Sequence, residues 1–303
     1  MLREGGLVAF PTETVYGLGA DATDSRAVAR IFEAKGRPTF NPLIVHLPDL
    51  EAVAAIAVLG PEARRLAAEF WPGPLTLVLP LRPEAGISPL VTAGLDTVAV
   101  RVPAAPLAQE LLRATGRPVA APSANPSGRI SATRADHVLD AMGDRLDAVL
   151  DGGPCAVGLE STILRPDPSV LLREGGLPAE RIEALIGVPL DRDTTPGRVQ
   201  VPGQLSSHYA PGVALRMEVR APDPDAVMIG FGPVGGDLSL SPEGDLVEAA
   251  AALFDVLHQA DAMAARTGRQ RIDVAPIPDR GLGRAINDRL TRAAAPRDVS
   301  SQA

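Results

Sequence analysis

Short apolar runs alternate with segments of helical spacing along the first 187 residues, and this alternation constrains the fold more than any other feature. Leu7-Val8-Ala9-Phe10, Leu43-Ile44-Val45 and the runs 75–81, 97–102, 119–121, 148–150, 162–164 and 170–172 read as strands. Between them, 25–34, 61–70, 105–114, 134–142 and 178–186 read as helices. Asp24 or Ser25 can cap the first, Pro61 sits in a first turn, and Gly187 stops the last. Trp71-Pro72-Gly73-Pro74 is a rigid turn. Strands alternating with helices predict an α/β fold with a mixed sheet. From Val188 to Gly212 the periodicity disappears, and Pro189, Pro196, Gly197, Pro202, Gly203, Pro211 and Gly212 fall within it. That is too long for a loop inside a compact domain, so it reads as a linker, a lid or both. Beyond it, strands at 226–229 and 272–275, a helix at 246–260 and another within 281–294 predict a smaller α/β unit. The division is 1–187, 188–212 and 213–303, with a frayed end from Pro296 to Ala303.

Composition removes several function classes. A chain of 303 residues suits two domains, and 46% hydrophobic content with a mean hydropathy of +0.11 excludes general disorder. A net charge of −8 is wrong for a protein gripping nucleic acid over a wide face, although a local basic cleft remains allowed. One cysteine, Cys155, leaves no intrachain disulfide and no multi-cysteine zinc site. No transmembrane run and no signal peptide is read, so the expectation is a cytoplasmic protein without membrane contact, and a monomer. No P-loop, complete dinucleotide fingerprint, H-E-x-x-H or G-x-S-x-G is present, and the four histidines are scattered.

The basic residues are uneven. Lys35 is the one lysine among 29 basic residues, the rest being arginine. A lysine that survives such a bias marks a place where a compact ammonium serves and a planar guanidinium does not. It lies in Lys35-Gly36-Arg37-Pro38, after a helix and before Asn41-Pro42 and a strand that leads to His46. Other polar clusters also sit at strand ends. These are Pro11-Thr12-Glu13-Thr14-Val15-Tyr16-Gly17-Leu18-Gly19, Thr97 to Arg101, Ala121-Pro122-Ser123-Ala124-Asn125-Pro126-Ser127-Gly128, Glu160-Ser161-Thr162 and Arg173-Glu174-Gly175-Gly176. Arg37, Arg101, Arg173 and Lys35 together would form a cationic cleft suited to a polyphosphate or carboxylate.

These motifs carry a resemblance. P-T-E-T-V-Y-G-L-G, K-G-R-P followed by N-P-L-I-V-H, and S-A-N-P-S-G resemble the YrdC-like family, with Lys35, Arg37, Ser123 and Asn125 as its signature. P-G-Q-L-S-S-H-Y-A-P and A-P-I-P-D-R-G-L-G-R-A-I-N-D-R-L resemble its longer, two-domain form, and the likeness covers nearly the whole chain. The resemblance implies a twisted mixed sheet with helices, joined by the long linker to a smaller Rossmann-like α/β domain. It implies a nucleotidyltransferase that forms L-threonylcarbamoyl-AMP and pyrophosphate from L-threonine, bicarbonate and ATP. A separate threonylcarbamoyl transferase complex would use the product on tRNA, with direct tRNA binding left open. ATP falls by similarity to Lys35, Arg37, Asn41, Thr97, Ala121, Ser123, Asn125, Ser131, Arg173 and Tyr209, with Lys35 and Arg37 as the catalytic pair. L-threonine falls to Thr14, His46, Arg101 and Ser161, and Thr12 and Tyr16 are expected to line the pocket. Mg2+ would arrive on the phosphate oxygens rather than in a metal site of the protein. Because Tyr209 belongs to the linker, the linker is expected to close over ligand as a lid across 196–212. Two other readings are a double-stranded RNA-binding module and a carbamoyltransferase related to hydrogenase maturation.

Overall fold

A computed structural model describes residues 1–192, 201–203 and 208–296. Ten strands form the first sheet: β1 (Val8–Phe10), β2 (Gly17–Asp21), β3 (Ile44–His46), β4 (Leu75–Pro80), β5 (Thr97–Arg101), β6 (Val119–Ala120), β7 (Ala148–Val149), β8 (Thr162–Pro166), β9 (Ser169–Arg173) and β10 (Asp191–Arg192). Their order is β10-β9-β8-β4-β5-β3-β6-β2-β1-β7, with parallel and antiparallel pairs mixed. Seven helices accompany it: α1 (Ser25–Lys35), α2 (Leu50–Ile56), α3 (Pro61–Phe70), α4 (Pro89–Thr92), α5 (Pro106–Thr115), α6 (Ala135–Met142) and α7 (Ala179–Ile186). The second sheet is wholly parallel and comprises β11 (Ala214–Arg216), β12 (Ala226–Gly230), β13 (Leu238–Ser239) and β14 (Arg271–Val274), in the order β11-β14-β12-β13. It carries α8 (Leu246–Thr267) and α9 (Leu282–Ala294). The chain thus has the expected mixed α/β sheet and a smaller α/β unit after it.

The two-residue period of a strand separates a packed face from a site face. Val45, Leu77, Leu79, Val98 and Val100 enter the main core against the helices. Ile44, Val78 and Ala99 join Ile163, Val170 and Leu172 in a second apolar patch across the sheet. Val201, from the Pro/Gly stretch, is fully buried on that patch. Beside it, β3 and β5 run parallel with His46 opposite Arg101. Polar side chains therefore emerge at the carboxyl ends of neighbouring strands, where open α/β sheets receive ligands.

Some boundaries depart from the sequence reading. Gly17–Asp21, read as part of a polar loop, is a fully buried strand paired to β1 and β6. Its two glycines and aspartate hide it from any strand signal, while tertiary pairing supplies the hydrogen bonds. α2 escapes notice because its Ala-rich run is short, though Asp49 caps it by accepting from the amide of Ala52 at 2.8 Å. α8 extends to Thr267, well past the expected Ala260. β10 lies inside the stretch read as linker. Residues 297–303 of the expected frayed end lie outside the described residues.

Candidate active site

α1 delivers the first cations. Asp24 caps its N-terminus by accepting from the amides of Arg26 and Ala27, worth about 1 kcal/mol. Its apolar residues Val28, Ile31 and Phe32 enter the core and fix the helix axis. Gly36 ends it with φ 59°, a left-handed turn that sends Arg37 away from the helix direction. Lys35 ends up buried, donating its ammonium to the carbonyl of Ser123 at 2.6 Å and to the carbonyl of Asn125. Arg37 donates from Nε to the carbonyl of Asn41 at 3.2 Å and from Nη2 to that of Pro42 at 2.9 Å.

The loop holding Ser123 and Asn125 is stitched down from both sides. Leu18 donates its amide to Pro122, and Ala124 donates to Tyr16. Asn125 uses its amide nitrogen on the carbonyls of Pro126 and Arg129, both at 2.9 Å. It therefore closes its own turn, and this loop meets Lys35 through the backbone carbonyls of Ser123 and Asn125. Burial, then the charge of Arg37, pushes Lys35 well below the ordinary lysine range.

A guanidinium in a buried strand needs partners, and Arg101 has several. It donates to Glu13 Oε1 at 2.6 Å, to the Thr14 hydroxyl at 2.7 Å and to the carbonyl of Gly73 at 3.1 Å. Glu13 also accepts from the amides of Ala104 and Ala105, so the pair is anchored at both ends. His46, packed edge-on to Phe10, is buried with Nδ1 unpartnered among the described residues. Burial, then Arg101, lowers it to about 3, so it stays neutral and able to share a hydrogen bond with a ligand.

Arg173, at the end of β9, donates to the Ser161 carbonyl at 2.8 Å, to the Ser161 hydroxyl at 3.2 Å and to the carbonyl of Pro202 at 3.0 Å. The Ser161 hydroxyl also lies 2.7 Å from that of Thr76. Burial lowers Arg173 to about 10, and burial followed by Arg173 lowers Arg37 to about 9; both stay cationic at neutral pH.

One pocket collects these groups. Thr12, Thr14, His46, Arg101 and Ser161 border it, and so do Arg37, Ala121, Ser123, Arg173 and Tyr209. Lys35 and Asn125 stand directly behind Ser123, and Ser131 stands behind Glu160, to which it donates at 2.6 Å. Asn41 is buried with both side-chain polar atoms unpartnered among the described residues, next to Arg37. Thr97 is not on the wall; it begins β5, four residues before Arg101 and on the same strand face. Tyr16 departs from expectation: it is fully buried, donates to the carbonyl of Gly153 at 2.8 Å and packs in the core, because its ring points away from the pocket-forming hydroxyls. Sequence reasoning gave no role to Glu160, Gly203 and His208, which border the pocket. His208 lay in a quoted motif, but nothing local marked it as a wall residue. Among the described residues, Pro202, Gly203, His208 and Tyr209 bring the linker to the pocket; positions 196–200 and 204–207 of the expected lid lie outside them.

The cations are too enclosed to grip a duplex: Lys35 is 3%, Arg37 8%, Arg101 3% and Arg173 7% exposed. Among the described residues no group of three or more His, Cys, Asp or Glu could hold a metal ion, and no helix is long and apolar enough to cross a membrane.

Two family models match the chain. One, described as telomere recombination and covering the Sua5, YciO and YrdC proteins, matches residues 1–175. The other, described as the threonylcarbamoyl-AMP synthase C-terminal domain, matches residues 177–295. The threonylcarbamoyl-AMP synthase of Bacillus subtilis is 42% identical, over 99% of this chain and 92% of its own. That of Pyrococcus abyssi is 43% identical, over 96% of this chain and 91% of its own. The crystal structure of P. abyssi Sua5 complexed with L-threonine superimposes with a TM-score of 0.87 at 41% identity, over 97% of this chain and 92% of that one. The chain belongs to the Sua5, YciO and YrdC family, in the two-domain form that carries the threonylcarbamoyl-AMP synthase C-terminal domain.

Proposed function

We propose that this protein condenses L-threonine, bicarbonate and ATP into L-threonylcarbamoyl-AMP and pyrophosphate. The observation that carries the reading is the meeting of Arg37, Arg101 and Arg173 on one buried pocket with Lys35 directly behind it. The relatives named threonylcarbamoyl-AMP synthase and the L-threonine-bound neighbour support it. In this reaction the threonine amine forms a C–N bond to carbon dioxide supplied by bicarbonate, releasing water and giving a carbamate. A carbamate oxygen then attacks the α-phosphate of ATP, and the bond to pyrophosphate breaks. Both partners are anions, so the protein must hold them together against their repulsion, which positioning and fixed charge accomplish.

Arg101, already oriented by Glu13, takes the threonine carboxylate beside Thr14, neutral His46 and Ser161. Arg37, Arg173 and Lys35 take the phosphates, with Ser123 alongside. Ile44 and Ala121, which border the pocket, offer an apolar contact for the adenine, with Thr97 on the strand face that carries Ala99 and Arg101. Mg2+ would be held on the phosphate oxygens of ATP rather than by carboxylates of the protein, and would supply charge neutralisation there. Tyr209 and its neighbours close over the ligands. The product passes to a separate transferase acting on tRNA in the cytoplasm.

The test supplies the purified chain with ATP, L-threonine and bicarbonate and follows pyrophosphate and a threonine-dependent AMP adduct by mass spectrometry. The reading requires both products, in equal amounts and only when all three substrates are present. Pyrophosphate release independent of threonine would contradict it.

A further inference from the structure

Arg289 lies on α9, in the C-terminal unit, and is fully buried. A guanidinium stripped of water needs partners for its donors and a counter-charge. Nε donates to Glu160 Oε2 at 3.0 Å, and Nη1 donates to the carbonyl of Glu174 at 2.7 Å and to Asp288 at 2.9 Å. Its Cζ stands 5.5 Å from the ring centroid of Tyr209, within cation–π range. These contacts reach the wall of the pocket. Glu160 borders it and precedes Ser161, Glu174 follows Arg173, and Tyr209 borders it directly.

The charges explain why an arginine is there. Glu160 is the one carboxylate among the described residues bordering the pocket, and an anionic ligand would be repelled by it. Arg173 and Arg37 spend their hydrogen bonds on carbonyls and a hydroxyl, so neither neutralises Glu160 by direct pairing. Glu13 is matched by Arg101. Arg289 thus cancels Glu160 from behind and leaves Arg37, Arg173 and Lys35 with charge to spare for phosphate. A lysine could not bridge Glu160, Glu174 and the Tyr209 face at once, because it lacks the planar fork.

We infer that Arg289 is a positioning residue for the nucleotide half of the site, so that the C-terminal unit completes the ATP pocket by neutralising Glu160. The inference rests on the function proposed above. Ligand binding tests it without turnover, so a wild-type chain that formed no product would count against that function and not against Arg289. Calorimetry would measure ATP and L-threonine separately on the full chain. Arg289→Met should weaken ATP at least tenfold at pH 8 and leave L-threonine within about threefold. At pH 6 the ATP defect should narrow, because an unpartnered, buried Glu160 takes up a proton. The groups acting on Glu160 are Arg289, Arg173, Tyr209 and the Ser131 hydroxyl, with Asp288 paired to Arg289 and His258 on the carbonyl of Ser131. A pH dependence that belongs to Glu160 must vanish in the Glu160→Gln, Arg289→Met double variant, whose ATP affinity should return to within about threefold of wild type. That double variant also decides the matter if the single variant does not fold. Equal weakening of both ligands, a pH-independent defect, or a double variant still tenfold weaker for ATP would overturn the inference.

Discussion

Lys35 is confined in a way that only an ammonium tolerates. Two backbone carbonyls hold it, and the third N–H remains for a ligand. Lys35→Ala should reduce the rate of pyrophosphate release at saturating substrates by about 100-fold, on the scale of losing one preorganised donor. Lys35→Arg should fail by at least about tenfold, because a guanidinium does not fit between those carbonyls; activity within twofold for either variant would remove Lys35 from the chemistry. Burial and Arg37 hold the free group below the ordinary lysine range, and a bound triphosphate opposes that shift. The importance of Lys35 was legible in the sequence because every other basic residue is arginine. That of Arg289 was not, because it is one arginine among many, and only the fold brings it to Glu160, 129 positions away.

At the scale of elements, glycines locate the site where a side chain would not. Gly36 has φ 59° and open space around its missing Cβ, so Gly36→Ala should cost only about 1 kcal/mol from backbone strain. Gly158 has φ 72°, and a Cβ there would meet the Ala250 carbonyl oxygen of α8 at 2.4 Å. Gly158→Ala must therefore push the loop that leads into Glu160 and Ser161 away from the C-terminal unit. A loss on the order of 3 kcal/mol in urea unfolding is expected, together with weaker ATP binding; a change as small as that of Gly36→Ala would contradict the close approach. The strands that fill the sheet with Val, Leu and Ile were legible, as were the helices long enough to show an apolar period, whereas the short α2 and α4 were missed despite the caps at Asp49 and Ser88. β2 was not, since Gly17-Leu18-Gly19-Ala20-Asp21 is a strand only because β1 and β6 flank it. The linker's role at the pocket was legible only through the family motif around Tyr209.

Across the whole molecule, all four histidines are held below their ordinary range. Burial is the leading cause in each: His46 falls to about 3, His258 to about 4, and His137 and His208 also move down. His137 of α6 and His258 of α8 stack across the junction of the two units with ring centroids 4.0 Å apart. An unfolded chain binds these protons near pH 6.5 and the folded chain does not, so the stability they supply is complete above 6.5 and is lost as pH falls toward 4. His46 and His258 each contribute up to about 1.4 kcal/mol per pH unit in that window, and His137 and His208 act in the same direction. The thermal midpoint should therefore drop steadily between pH 6.5 and 4.5, and a flat profile would contradict this. The proposed reaction needs a single buried pocket that receives a nucleotide and an amino acid together. A crystal structure with a non-hydrolysable ATP analogue and L-threonine measures that most directly. It should place the phosphates within hydrogen-bond distance of Lys35, Arg37 and Arg173, and the threonine carboxylate on Arg101. A nucleotide bound elsewhere, with these four side chains untouched, would contradict it.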